Sequence, residues 1–166
     1  LGINENIIKR SLEKFSGVQR RMTKIFTKNE NDFYDDYAHH PTEISSILEG
    51  VKNVYKHRQI ISVFEPHRYS RVLSLKSEFS KSFSKSNLVL LCPLYAAGEK
   101  KNSKFNIQEF AKSISKASKT QVIIIKDFNE LGKYFKKNLM SDELIIGMGA
   151  GTISKHMNAL KNILWI

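Results

Sequence analysis

The run Leu88-Val89-Leu90-Leu91-Cys92 is apolar at every position and stops at Pro93. A strand without a polar face must be covered on both sides, which is the setting of a parallel sheet between two layers of helices. Gln59 to Phe64, Val122 to Ile125 and Glu143 to Gly147 read as further buried strands, and Asp32 to Tyr37 as a strand with two aromatic members. Between these runs the apolar residues recur every three or four positions. Ile44, Ile47, Leu48, Val51 and Val54 make one helical stripe, with Pro41 at the first helical position. Val72, Leu75, Phe79 and Phe83 predict a helix over about 70–84. Two more helices open on the capping pairs Asn106 with Glu109 and Asp127 with Glu130. A helix carrying Ile153, Met157 and Leu160 follows, and 162–166 reads as a last strand. The alternation predicts an α/β fold: a doubly wound, mostly parallel sheet with helices on both faces.

The first 30 residues fit this pattern less well. Leu1 to Lys14 reads as a helix (Ile3, Ile7, Ile8, Leu12), Phe15-Ser16-Gly17 as a turn, Met22, Ile25 and Phe26 as a short alternating run, and 28–31 as a polar hairpin-like turn. The chain opens without a methionine. The expectation is that 1–30 is the tail of a preceding domain and 31–166 a domain of its own.

A chain of 166 residues, 41% hydrophobic, suits one compact domain. No apolar run approaches the roughly 20 residues of a membrane span, and no leader pattern opens the chain, so a cytoplasmic protein is expected. Cys92 is the sole cysteine, which excludes an internal disulfide and a multi-cysteine metal site. The formal charge of +11 raises the question of a polyanionic partner. Ten lysines lie between Glu99 and Lys137 with few aromatics in a stacking arrangement, which fits a solvated surface better than a nucleic-acid site.

Chemistry concentrates at two junctions where a strand gives way to a helix. Asp35-Asp36-Tyr37-Ala38-His39-His40-Pro41 packs two carboxylates, a phenol and two imidazoles together, and Pro66-His67-Arg68-Tyr69-Ser70-Arg71 follows the next strand. In an open α/β sheet such junctions sit at the carboxyl ends of the strands, where ligands bind, so the two are expected to form one wall of a site. Arg68 and Arg71, three apart, would share a helix face with His67 beside them; arginine forks and a helix N-terminus both favour a carboxylate or phosphate. The competing reading is a surface ion pair with Glu65 or Glu78. Asp36 is placed to accept hydroxyls such as those of a ribose, or alternatively to cap the Pro41 helix. Adjacent His39 and His40 point different ways and lack a third ligand at sensible spacing, so no metal site is expected. Gly147-Met148-Gly149-Ala150-Gly151 resembles a dinucleotide fingerprint, but it comes at the last helix and no acidic residue follows it. A tight turn is the better reading, with an anion at the helix start left open.

Taken together, Phe15 to Arg21, Asp35 to Ile44, Phe64 to Arg71 and Tyr95-Ala96-Ala97-Gly98-Glu99, with Gly149 to Ile153 more weakly, resemble the Mur ligases, the ATP-dependent amide-forming enzymes of peptidoglycan assembly. The strings occur in family order over most of the chain. Pro-His-Arg-Tyr-Ser-Arg and Tyr37 point to the member that joins L-alanine to UDP-N-acetylmuramate. Glu65 stands where that group usually has Gln, and Leu94 where Val is usual. The resemblance implies the Rossmann-like C-terminal domain of a three-domain enzyme whose phosphate-binding loop and Mg2+ ligands lie in a central domain; this chain alone would be inactive. It further implies Arg21 near the γ-phosphate of ATP, Asp36 on the ATP ribose, Tyr37 near the nucleotide, and His39, His67, Arg68 and Arg71 around L-alanine. The implied partners are UDP-N-acetylmuramate, L-alanine, ATP and the two other domains, with no nucleic acid.

Overall fold

The computed structural model describes residues 2–14 and 18–165. The turn expected at 15–17 lies outside them. In chain order the elements are α1 (Glu5–Glu13), β1 (Thr23–Lys28), β2 (Asn31–Asp36), α2 (Pro41–Val54), β3 (Gln59–Phe64), α3 (Tyr69–Ser74), α4 (Lys76–Lys81), β4 (Leu88–Leu91), α5 (Ile107–Ser118), β5 (Gln121–Ile124), α6 (Phe128–Asn138), β6 (Glu143–Met148) and α7 (Ile153–Trp165).

Six strands form one sheet in the order β1-β2-β6-β3-β4-β5, parallel throughout except for the antiparallel β1 edge. The apolar runs are the central strands, and each sends alternate side chains to opposite faces. Ile60, Phe64, Val89, Leu91, Leu144 and Ile146 pack with α2, α3, α4 and α5. Ile61, Val63, Leu90 and Ile145 pack with α6 and α7 on the other face. The sheet is therefore covered on both sides, as the unbroken apolar run of β4 requires.

The expected division at residue 30 falls inside a hairpin. β1 and β2 pair from Thr23↔Asp35 to Lys28↔Asn31 through the two-residue loop Asn29-Glu30, whose φ values of 49° and 63° are those of a type I′ turn. The sheet thus begins at Thr23. By contrast α1, capped by Asn4 on Asn6 N–H, buries none of its residues, and its stripe of Ile3, Ile7, Ile8 and Leu12 is exposed.

Two element expectations are corrected. The helix read over 70–84 is two short ones, because Leu75 (φ −113°, ψ 25°) leaves helical geometry between α3 and α4. The strand read at 162–166 is the last turn of α7 as far as Trp165: Met157, Leu160 and Leu164 are buried at helical spacing, so the period of the helix outlasts the short apolar run. Among the described residues no helix is long and apolar enough to cross a membrane.

Candidate functional site

Parallel register brings the carboxyl ends of β2, β6, β3 and β4 to one edge: Asp36 lies beside Met148, and Met148 and Leu91 beside Phe64. The segments that leave these ends carry the chemistry. A line of rings crosses them. Tyr37 meets His39 edge-on at 5.0 Å, His39 meets His67 at 5.9 Å, and His67 stacks on Tyr95 at 5.5 Å and 27°. The Arg20 guanidinium covers the Tyr37 ring at 4.7 Å, closing one end of the line. An Arg71 N–H donates to His67 Nδ1 at 3.2 Å, so that nitrogen carries the lone pair and Nε2 the proton. Burial, then the charges of Arg71, His39 and Arg68, lowers the His67 pKa below its ordinary 6.5 and keeps the ring neutral. His39 Nδ1 lies 2.9 Å from Tyr37 O. Tyr37, His39 and His67 of the two junctions thus lie side by side, and Tyr95, named in the sequence only within the string Tyr95 to Glu99, extends the line.

The tandem carboxylates of β2 pin the chain before β1. Asp35 is paired with Arg20 at 3.6 Å and accepts from the Ser154 hydroxyl at 2.5 Å. Arg20 also donates to Gly149 O. Asp36 is 1% exposed, and its two oxygens accept the N–H groups of Met22 and Ala38 at 2.8 and 2.7 Å. Burial raises its pKa above 3.8, although those N–H groups and Arg21 pull the other way. It does not cap α2. That cap is His40, in a capping box with Glu43, whose carboxylate accepts from His39 and His40 N–H at 3.0 and 3.1 Å. Burial would raise the Glu43 pKa, but these bonds and the charges of His39 and Arg21 hold it below the usual range. With Arg20 and Met22 both held, and both at positive φ, Arg21 between them is exposed.

Arg68 is the N-cap of α3 and Arg71 lies in its first turn. Neither forms an ion pair among the described residues, with Glu65, Glu78 or any other carboxylate. The start of α3 is not open to a ligand, however. Glu99 occupies it, accepting from Ser70 N–H at 3.0 Å and the Ser70 hydroxyl at 2.5 Å. These two bonds hold the Glu99 pKa below the usual range.

Glu65 turns away from the arginines. It is 2% exposed and its carboxylate accepts from the Thr152 hydroxyl at 2.6 Å and Ile153 N–H at 3.2 Å. The glycine turn into α7 therefore holds an anion supplied by the chain itself. Gly149 (φ 154°) has Glu65 O 2.9 Å from where a Cβ would sit, and a Cβ on Gly151 would meet Tyr95 Cγ at 2.6 Å, so close backbone approach is what both glycines provide. Past Tyr69 a cavity of about 520 Å³ is lined by Leu94, Phe105, Ile107, Ile124, Lys101 and Lys126; the sequence singled out none of these as site residues.

Residues 20–151 match the family model described as "Mur ligase, glutamate ligase domain". The UDP-N-acetylmuramate–L-alanine ligase of Pelagibacter ubique (strain HTCC1062) is 49% identical over 164 residues, which cover 99% of this chain and 35% of that protein. The crystal structure of a UDP-N-acetylmuramate–alanine ligase from Thermotoga maritima aligns at a TM-score of 0.74 and 24% identity, over 97% of this chain and 33% of that one. A murein peptide ligase from Psychrobacter arcticus aligns at 0.75 and 22%, over 93% and 32%. At these identities the two structures speak for the fold. The chain spans about a third of the length of the relatives it matches. With the family model covering most of its length, the chain belongs to the Mur ligase family.

Proposed function

We propose that the chain is the C-terminal domain of a three-domain, ATP-dependent ligase that joins L-alanine to UDP-N-acetylmuramate, a reaction of peptidoglycan synthesis using nucleotide substrates of the cytoplasm. The observation that carries this reading is the gathering of Tyr37, His39, His67 and Arg71 on one sheet edge, with Arg71 bound to a neutral imidazole and, among the described residues, forming no ion pair with a carboxylate. The 49% identity to an alanine-adding ligase supports the choice of substrates.

In this reading ATP phosphorylates the carboxylate of UDP-N-acetylmuramate, leaving ADP and an acyl phosphate. The amine of L-alanine attacks the acyl carbon, phosphate departs, and the nitrogen gives up a proton. Arg71 and Arg68 take the alanine carboxylate, while His67 and His39 bound its site; holding both reactants in line is the main service such a site performs. Arg21, exposed between two pinned neighbours, is free to reach the γ-phosphate, where negative charge builds. Tyr37, 37% exposed, offers a ring edge to the nucleotide. Asp36 as a ribose acceptor requires one of its two backbone bonds to open on binding; with them closed, it orders the loop that displays Arg21. Mg2+ would be held chiefly by the central domain. The exposed stripe of α1 fits a helix that belongs to that domain, with the boundary before Arg20 rather than at residue 30.

The test is phosphate release. The full-length polypeptide should release phosphate from ATP only with both UDP-N-acetylmuramate and L-alanine present, and the 166-residue chain should release none. Turnover by the chain alone, or indifference of the full-length enzyme to L-alanine, would overturn the assignment.

A further inference from the structure

The loop after β4 grips the start of α3 at two points. Arg68 N–H donates to Tyr95 O at 2.9 Å and Tyr95 N–H to Pro66 O at 2.8 Å, while four residues on, the Glu99 carboxylate takes both the N–H and the hydroxyl of Ser70. Between the two grips Arg68 adopts φ 68° and ψ 131°. That is a costly conformation for a residue with a Cβ, and it persists only where the surroundings fix it from several sides. Arg68 is this point and Arg71 follows it in the first turn of α3, so the conformation there decides where both guanidinium groups are aimed. α3 is short and ends at Ser74, so it has few other bonds to hold its first turn in register.

We propose that Glu99 is a positioning residue for the two arginines: by holding Ser70 it fixes the first turn of α3, and with it the directions in which Arg68 and Arg71 meet the substrate carboxylate. This rests on the reading of those arginines as the L-alanine carboxylate site. Glu99 itself is committed to Ser70 through both oxygens, so in this proposal it acts through Ser70 rather than on the substrate. Without it the first turn frays and Arg71 loses its fixed bearing on His67, which weakens binding of the amino acid and leaves the nucleotide alone.

The experiment is steady-state kinetics on the full-length enzyme with E99A, E99Q, S70A, R71A and the E99A/R71A pair. E99A should raise KM for L-alanine about tenfold, with KM for ATP and kcat within about twofold. E99Q keeps a carbonyl oxygen to accept the Ser70 N–H and should lie within about threefold of the parent. S70A, which loses only the hydroxyl bond, should move KM for L-alanine the same way by less. The pair should be little worse than R71A alone, since both changes act on one contact. E99Q as damaging as E99A would mean that the charge meets the substrate directly and would overturn the positioning role. An effect of R71A without one of E99A or S70A would overturn the inference about Glu99 while leaving the alanine site standing. No effect of R71A would instead overturn the assignment of the site, and the inference with it.

Discussion

Glu65 and Ile153 are joined by a hydrogen bond of 3.2 Å from the first backbone N–H of α7 to a carboxylate that is almost wholly buried. The pair closes the glycine turn from inside, so the turn serves packing rather than phosphate binding. Replacing Glu65 with Ala strips both Thr152 and Ile153 of their acceptor and should cost about 2 kcal/mol of stability, the usual cost of stranding a buried donor. E65Q keeps one oxygen to accept the Ile153 N–H and can turn its NH2 to the Thr152 hydroxyl oxygen, which accepts, so it should cost about 1 kcal/mol, less than E65A. Urea unfolding of the two variants checks the order, and equal losses would contradict it.

The Gly151 backbone lies against the Glu65 carboxylate and Tyr95, with no room for a methyl group. G151A should push the Tyr95 ring off His67 and destabilise the domain by about 1–3 kcal/mol, as overpacking does. Amide shift changes at Tyr95, His67 and Arg71 in the variant would report the displacement. Changes confined to the turn itself would show that Tyr95 is held by other means.

His67 titrates below 6.5 because burial and the charges of Arg71, His39 and Arg68 oppose its protonation. The unfolded chain therefore binds a proton at His67 at a higher pH than the folded one. The contribution of the neutral ring to stability is full above about pH 6.5 and is lost as pH falls through the folded-state value. NMR titration of the ring should give a midpoint below 6.5, and R71A should raise it. A midpoint at or above 6.5 would contradict the neutral ring.

At the opposite end of the sheet, Asp32 contacts Lys24 and Arg58 at 2.6 Å each. Burial would raise its pKa, but these two partners and Thr27 bring it down from 3.8 to about 2. A depressed carboxylate stabilises above the unfolded value and ceases to do so as pH falls to the folded one. About 2 kcal/mol should thus disappear between roughly pH 4 and 2, and R58A should flatten that part of the profile.

Glu30 (φ 63°) in the β1–β2 turn and Lys119 (φ 53°) at the end of α5 are surface positions with left-handed backbone and no glycine. E30G and K119G should each stabilise the domain by about 0.5–1 kcal/mol, because the strain relieved exceeds the added freedom of the unfolded chain. Thermal melts check the sign.

Much of this was readable from the residues. The central strands declare themselves because burial on both faces leaves no polar position, and β3 matches its expected span of Gln59 to Phe64. The capping residues Asn106 and Asp127 accept N–H bonds from Glu109 and Glu130 as their spacing implied. The break at Leu75 was not readable, since Val72, Leu75, Phe79 and Phe83 keep helical spacing across it and only the backbone departs. The ring line was legible in Tyr37, His39 and His67 because they flank strand ends. Tyr95 joins it, and Glu99 reaches Ser70, through a loop whose contacts depend on tertiary structure. Glu65 was expected beside the arginines; alternation along the extended chain, which turns Phe64 to the other face, sends the Glu65 side chain to the start of α7 instead.

The most direct measurement is the pair of Michaelis constants of the R71A full-length enzyme. The alanine-site reading predicts KM for L-alanine raised at least about tenfold, with KM for ATP within about twofold of the parent. Equal changes in both constants, or none in either, would contradict it.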